Sequence, residues 1–278
     1  MESTTVKTAW HSELEAARRS GGVYEPSPYS TLNEKFGILA NEPLTAGQFP
    51  DIQYLAIGRG GHVNVVGTNG ASLTDSLQHR VTDACLFEHL PWRLRETDND
   101  ITAAERETYK MRRLETHGGI EYFAYYLKKL DMSSSATTIK IETTIDGTTT
   151  SQDYTPSTQQ LSPVPVSMTN GEVNESTGRH LTVSSQVSES ISNTDISEIL
   201  QAAEIIYGSR QYAEITEMAV CSGFEKAIQS TDGGQTVNYD EVQTAQCASF
   251  IGSDYSLRYQ NSEITLDFTI GNSVPYLT

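Results

Sequence analysis

The chain has 278 residues, a formal net charge of −17 and 37% hydrophobic residues. That length accommodates one large or two modest domains with a sizeable core, and the acidic balance excludes bulk binding to a phosphate backbone. No stretch approaches the roughly 18 apolar residues of a membrane helix, and no basic start leads into an apolar run. No membrane partner, no nucleic-acid partner and no secretory leader are therefore expected, and folding in a cytoplasm is.

Residues 1–50 read as an N-terminal arm. "HSELEAARRSGG" is a short helix stopped at Gly21-Gly22, and the two prolines of "YEPSPYS" prevent its continuation. A second short helix fits Leu32–Leu39, ending before Pro43. With so little core of its own, the arm is expected to pack on a neighbouring subunit.

Residues 51–130 read as a mixed α/β segment with a basic helix. "QYLAIGRGGHVNVVG" lacks the Lys and hydroxyl of a phosphate loop, and Gly58, Gly60 and Gly61 have the wrong spacing for a dinucleotide fingerprint. Two strand-like runs joined by glycines predict a hairpin. "TDNDITAAERETYKMRRLETHGG" predicts a helix opened by a Thr102–Glu105 capping box and stopped at Gly118-Gly119, with Lys110, Arg112 and Arg113 near its end. "DND" lacks the Gly and distal Glu of a calcium loop, so capping accounts for it better. "IEYFAYYLKKL" fits a strand or a buried helix.

Residues 131–278 read as a Ser/Thr-rich, acidic β region with one amphipathic helix. Ile139, Ile141 and Ile145 alternate with polar residues up to the hairpin signal Asp146-Gly147. Residues 154–178 form a long Pro-containing connection of the kind that serves an interface. "LTVSSQVSESI" is a polar strand. In "TDISEILQAAEIIYG", Asp195 is read as the cap with Glu198 answering it, before a stop at Gly208. "YAEITEMAVCSGFEKAI" reads as a strand, and "SEITLDFTI" alternates with Ile264, Leu266, Phe268 and Ile270 on one side. The sum is an α+β fold, mainly antiparallel β and sandwich-like, with a few short helices.

The search for chemistry returns little. His11, His62, His79, His89, His117 and His180 show no HxH or HExxH spacing, and Cys85, Cys221 and Cys247 form no CxxC pair. These cysteines read as small buried hydrophobes. No catalytic, cofactor or metal site is expected, and no enzyme. Tyr122, Phe123, Tyr125 and Tyr126 fit core packing better than sugar or base stacking. Nine of the 19 cations fall between residues 80 and 129, either a solvated face or a basic patch facing an acidic neighbour. The candidate interface residues are Arg59, Trp92, Arg93, Arg95, Arg112 and Arg113; the planar fork of Arg59 suits a bidentate carboxylate contact.

An early strand ending in "AIGRG", the block "LPWRLRETDNDITAAERETYKMRRLE", and an acidic β region ending in "AEITEMAVCSGFE" and "SEITLDFTI" together resemble structural proteins of tailed-bacteriophage virions. The sequence is most similar to baseplate wedge proteins of contractile-tailed phages, in which an early strand also ends in a Gly-Arg pair, here Gly58-Arg59, and an alternating strand, here Glu263–Ile270, also closes the chain. The glycine pair and His62 after Arg59, and the short chain, depart from that pattern. The resemblance implies a largely antiparallel β fold, self-association, contact with other tail or baseplate proteins, a place in the virion after assembly in the host cytoplasm, and no catalysis. A neck or connector protein would carry the same features. A carbohydrate- or receptor-binding β module with tyrosine platforms is the reading from another class. A glycan-cleaving enzyme has only the abundance of Asp and Glu behind it.

Overall fold

A computed structural model of the protein describes residues 3–66, 68, 70, 72–133, 135–164, 178–232, 235–257 and 263–276. In chain order the elements are β1 (Ser3–Lys7), α1 (Ala9–Ser20), α2 (Leu32–Phe36), β2 (Asp51–Gly58), β3 (His62–Val66), β4 (Ser72–Ser76), β5 (His89–Leu90), β6 (Arg93–Glu96), α3 (Ala103–Thr108), β7 (Tyr109–His117) and β8 (Ile120–Lys129). Then come β9 (Thr137–Ile145), β10 (Thr148–Asp153), β11 (Arg179–Ile191), α4 (Asn193–Tyr207), β12 (Ile215–Asp232), β13 (Gln235–Leu257) and β14 (Ile264–Pro275). The fold is α+β and mainly antiparallel β. Two compact units form, one from Met1–Leu130 with Ile191–Ile264 and one from Asp131–Ser190 with Thr265–Thr278.

The first unit is built on an eight-stranded sheet in the order β1-β13-β12-β2-β8-β6, with β5 beside β2 and β7 beside β8. Tyr125 pairs with Arg93 of β6 on one edge of β8 and with Arg112 of β7 on the other. Leu32 and Phe36 of α2 and Ala202 of α4 pack with Tyr54, Leu94, Met111, Cys221, Cys247 and Phe250 of the sheet into the main core. All three cysteines are free thiols, and Cys221 and Cys247 are buried.

Residues 1–50, read as an arm that packs on a neighbouring subunit, pack within the first unit of their own chain. β1 pairs along β13 from Ser3↔Ser253 to Lys7↔Ser249, and Leu14, Tyr24 and Leu44 form a core cluster of their own. The physical reason lies in β13, which breaks its register opposite Ser222–Phe224 and turns Thr244 to φ 56°. A bulge leaves backbone groups without ladder partners. The buried Asn33 side chain supplies them: its Nδ2 donates to the Val242 carbonyl at 2.9 Å and its Oδ1 accepts from Ala245 N at 2.8 Å. Gln246 faces the opposite side from Cys247, where the Tyr24 hydroxyl donates to it at 2.5 Å and its Nε2 donates to Ser30 Oγ at 2.7 Å.

The long basic helix is a correction. The Thr102–Glu105 capping box forms, but α3 ends after six residues, and Tyr109–His117 continue as strand β7 on the edge of β8. Helix propensity is a weak prior against a full ladder of sheet hydrogen bonds. Burial of Tyr109, Lys110 and Met111 completes the override. Asp100 consequently serves Arg106, Arg112 and the Tyr125 hydroxyl.

The glycine hairpin is a second. β2 pairs with β12, β8 and β5, while β3 pairs with β4 in a two-stranded sheet. Helix α4 starts earlier than read: Ser192, not Asp195, is the N-cap, Asp195 completes the box, and Gly208 ends the helix at φ 79°.

The second unit is a four-stranded sheet, β10-β9-β11-β14. Asp146 and Gly147, at φ 49° and 77°, make the left-handed turn that the β9–β10 hairpin requires. Ile264, Leu266, Phe268 and Ile270 are more covered than Thr265, Asp267 and Thr269, as the alternation implies. Of the 154–178 connection, a 3-10 turn spans Thr158–Leu161, and residues 165–177 lie outside the described residues.

Candidate functional site

The glycine-rich stretch cradles an anion, and the anion is the protein's own. A Cβ on Gly58 would lie 2.6 Å from the Glu88 carbonyl, one on Gly60 2.6 Å from Phe87 Cβ, and one on Gly61 2.7 Å from the Thr216 carbonyl. None of the three has positive φ, so close approach, rather than a special backbone conformation, requires glycine. The room is taken by Glu217 of β12. Its Oε1 accepts the N–H groups of Gly60 and Glu88 at 2.9 and 3.0 Å, and its Oε2 accepts that of Phe87 at 3.1 Å.

His79 completes this clasp. Its Nε2 lies 2.8 Å from Glu217 Oε2 and its Nδ1 3.2 Å from Asp83 Oδ2, while its ring stacks between Phe87 and Phe250 at 4.0 and 3.9 Å. Trp10 of α1 donates to the Asp83 carbonyl at 3.0 Å. His89 nearby accepts from Leu86 N, and burial brings its imidazole down to about 3, with Lys35 and His79 adding to the effect.

A second buried cluster ties α4 to the sheet. Asp195 is held by Arg93 at 2.9 Å, Lys128 at 3.0 Å and the Tyr109 hydroxyl at 2.5 Å. Burial pushes its carboxyl up, but the Tyr109 hydroxyl, Lys128 and Arg93 outweigh burial and bring it down to about 2. A third carboxylate, Glu241, accepts from Met111 N at 2.7 Å and Arg112 N at 2.9 Å, fixing β7 where Met111 sits at φ 59°. Burial pushes the Glu241 carboxyl up, opposed by those N–H groups and Lys110.

These clusters relocate most of the expected interface residues. Trp92 is fully buried, with its indole N–H on the Leu55 carbonyl, and Arg93 belongs to the Asp195 cluster. Arg112 lies over the Phe123 ring at 3.4 Å and pairs with Asp100, its side chain only 6% exposed. The groups of these three are engaged in the protein's own interior. Arg95 pairs with Glu198 of α4 at 2.6 Å. Arg113 is the most exposed of the set and reaches Glu115 at 3.2 Å. The residues missed were Glu217, Glu241 and His79, and Asp195 was read only as a helix cap; the one local signal was a carboxylate interrupting apolar runs, as Glu217 does in "EITEMAV". Tyr122, Phe123, Tyr125 and Tyr126 are buried in the sheet, as read.

Arg59 remains at the surface. Its Nη1 meets Glu88 Oε1 at 3.1 Å, and its guanidinium lies 4.4 and 4.8 Å from the ring centres of Tyr207 and Tyr212. Beside it opens a cleft of about 680 Å³ between the β3–β4 hairpin and the 3-10 turn Arg210–Tyr212.

The second unit presents a different surface. All six residues of β10, "TTTSQD", are exposed at the sheet edge. Thr148, Thr150 and Gln152 register on Ile145, Thr143 and Ile141, and Tyr154 N donates to Ile139 O in the same series. Thr144 N instead reaches Gly178 O on the other side of β9. In an antiparallel ladder, hydrogen-bonded and non-bonded pairs alternate, so the N–H groups of Thr149, Ser151 and Asp153 point outward from the edge. Among the described residues, no helix is long and apolar enough to cross a membrane.

A protein whose charged groups are turned inward as backbone clasps, and whose smaller sheet exposes an edge, belongs structurally among the α+β proteins of mainly antiparallel sheet. The chain matches the model of a family of unknown function, DUF7208, over residues 1–278, and belongs to that family. No curated protein and no solved structure matches it.

Proposed function

We propose that the protein is a non-enzymatic structural subunit of a bacteriophage tail or baseplate, joined to neighbouring virion proteins, and to further copies of itself, through the exposed edge of its smaller sheet. The phage assignment rests on the sequence resemblance of "AIGRG", the "LPWRLRE" block and the closing alternating strand. The observation that carries the assembly reading is β10. Natural sheet edges are blunted by Lys, Pro, bulges or short length, and this one is a six-residue run of Thr, Ser and Gln with a single terminal charge. Its outward N–H and C=O groups form a template for strand addition. The inward use of Glu217, Asp195 and Glu241 agrees with a scaffold role, since each carboxylate already holds backbone or cationic partners.

Virions of the phage encoding the protein, purified and quantified by mass spectrometry, contain it in fixed stoichiometry. Its absence from the particles overturns the reading. Gold labelling along the tail separates a baseplate wedge from a neck or connector component.

A further inference from the structure

We propose that the cleft beside Arg59 is a binding site for a neutral, hydroxyl-rich ligand, namely a saccharide. This inference stands apart from the assembly reading, since the edge strand β10 contributes nothing to the cleft.

The cleft has a built frame. The Glu217 clasp holds Gly60 next to the lining residue Arg59, and Gly61 N donates at 2.9 Å to Oγ1 of Thr216, which lines the cleft. His62 anchors the start of β3 by its Nε2 on the Ser253 carbonyl at 2.6 Å. Asn64 and Thr74 are directly opposed across the β3–β4 ladder and both line the opening. On the far wall stand Gln211 and Tyr212.

The chemistry of the lining selects the ligand. The side-chain groups of Asn64, Thr74 and Gln211 and the Tyr212 hydroxyl carry no partner among the described residues, so two amides and two hydroxyls stand ready to donate and accept. Vicinal sugar hydroxyls require that mixture. Tyr212 is 47% exposed, and its ring is held in place by Arg59 and by Tyr207 at 5.8 Å. A fixed, half-open aromatic ring offers an apolar face to the C–H surface of a pyranose at little entropic cost. The volume of about 680 Å³ falls within the range of small-molecule sites.

Anionic ligands fit poorly. Arg59, the cation at the wall, is already paired with Glu88, Glu214 also lines the cleft, and the chain carries −17 overall.

The test is saturation-transfer NMR on the full chain with a panel of glucose, galactose, mannose, N-acetylglucosamine, maltose and lactose, and with glucuronate and inorganic phosphate as anionic probes. At least one neutral sugar is expected to bind saturably. Tyr212→Ala and, separately, Gln211→Ala are expected to weaken that binding at least about tenfold, the loss of about 1.4 kcal/mol, with the thermal midpoint of Gln211→Ala unchanged. Asn64→Ala, on an exposed strand face, repeats the test should Tyr212→Ala fold poorly. The proposal is overturned if no neutral sugar binds, if the anions bind instead, or if binding survives the Gln211 and Asn64 variants.

Discussion

At the scale of single residues, the protein uses buried carboxylates as fasteners for its own backbone. Glu217 accepts three N–H groups from the Gly60 turn and the Phe87–Glu88 loop, and it faces His79. Removing it strands three part-buried N–H donors and the buried His79 imidazole. Breaking such a buried arrangement from one side costs about 3–5 kcal/mol, so Glu217→Ala is expected to lower the unfolding free energy by that amount, read as a lower urea midpoint with little change in slope. A loss below about 1 kcal/mol would show that the turn and loop hold their shape unaided. Asp195 makes the parallel case through pH. Its carboxyl lies at about 2 in the folded chain against an ordinary value of 3.8. Because the folded value is the lower one, the stabilisation is complete above about pH 4 and is lost as pH falls towards 2, about 2 kcal/mol in all. Unfolding free energies measured between those limits should show an acid limb that Asp195→Asn flattens.

At the scale of elements, the glycine stretch carries the sharpest test. Gly60 has no strained dihedral, yet a Cβ there meets Phe87 Cβ at 2.6 Å and Glu88 N at 2.7 Å. Gly60→Ala therefore overpacks a rigid site and should cost about 1–3 kcal/mol, read by thermal or urea unfolding. An unchanged midpoint would mean that the loop yields freely. The same stretch shows where local reading stops. The glycines were visible as a break after a strand, but what they break for is Glu217, more than 150 positions further on. Signals contained within one element came through: the Asp146-Gly147 turn, the Gly21 and Gly208 stops, the Thr102–Glu105 box and the alternation of Ile264–Ile270. Those that depend on a partner strand did not. Tyr109–His117 carried helix-compatible residues and became the edge partner of β8. Asn33 looked like part of a loose arm and is the clasp of a bulge at Thr244. The candidate site suffered most, because Asn64, Thr74 and Gln211 are ordinary polar residues until the hairpin and the 3-10 turn face one another across the cleft.

At the scale of the whole molecule, the placement of charge and the open edge point the same way. Arg93 and Arg112, which looked available for a partner, are engaged inside, so long-range attraction between basic and acidic faces is a poor candidate for the proposed contact between copies. Backbone pairing at β10 is the better one. Proline separates the two contributions of that strand, since at an edge position whose N–H faces outward it removes that donor without breaking a hydrogen bond of the ladder. At Ser151 the missing N–H is one that points away from β9, whereas at Thr150 or Gln152 it is one that holds the hairpin. Ser151→Pro should thus leave the isolated chain folded, with a melting midpoint near that of the unaltered protein, while abolishing its incorporation into particles. Gln152→Pro should lower the stability of the smaller sheet as well. Mass spectrometry of particles assembled with each variant, alongside circular dichroism of the free chains, reads both effects. Incorporation of Ser151→Pro at undiminished stoichiometry would exclude β10 as the contact and leave the exposed β14 edge, with Val274 half open to solvent, as the strand to test by the same substitution logic.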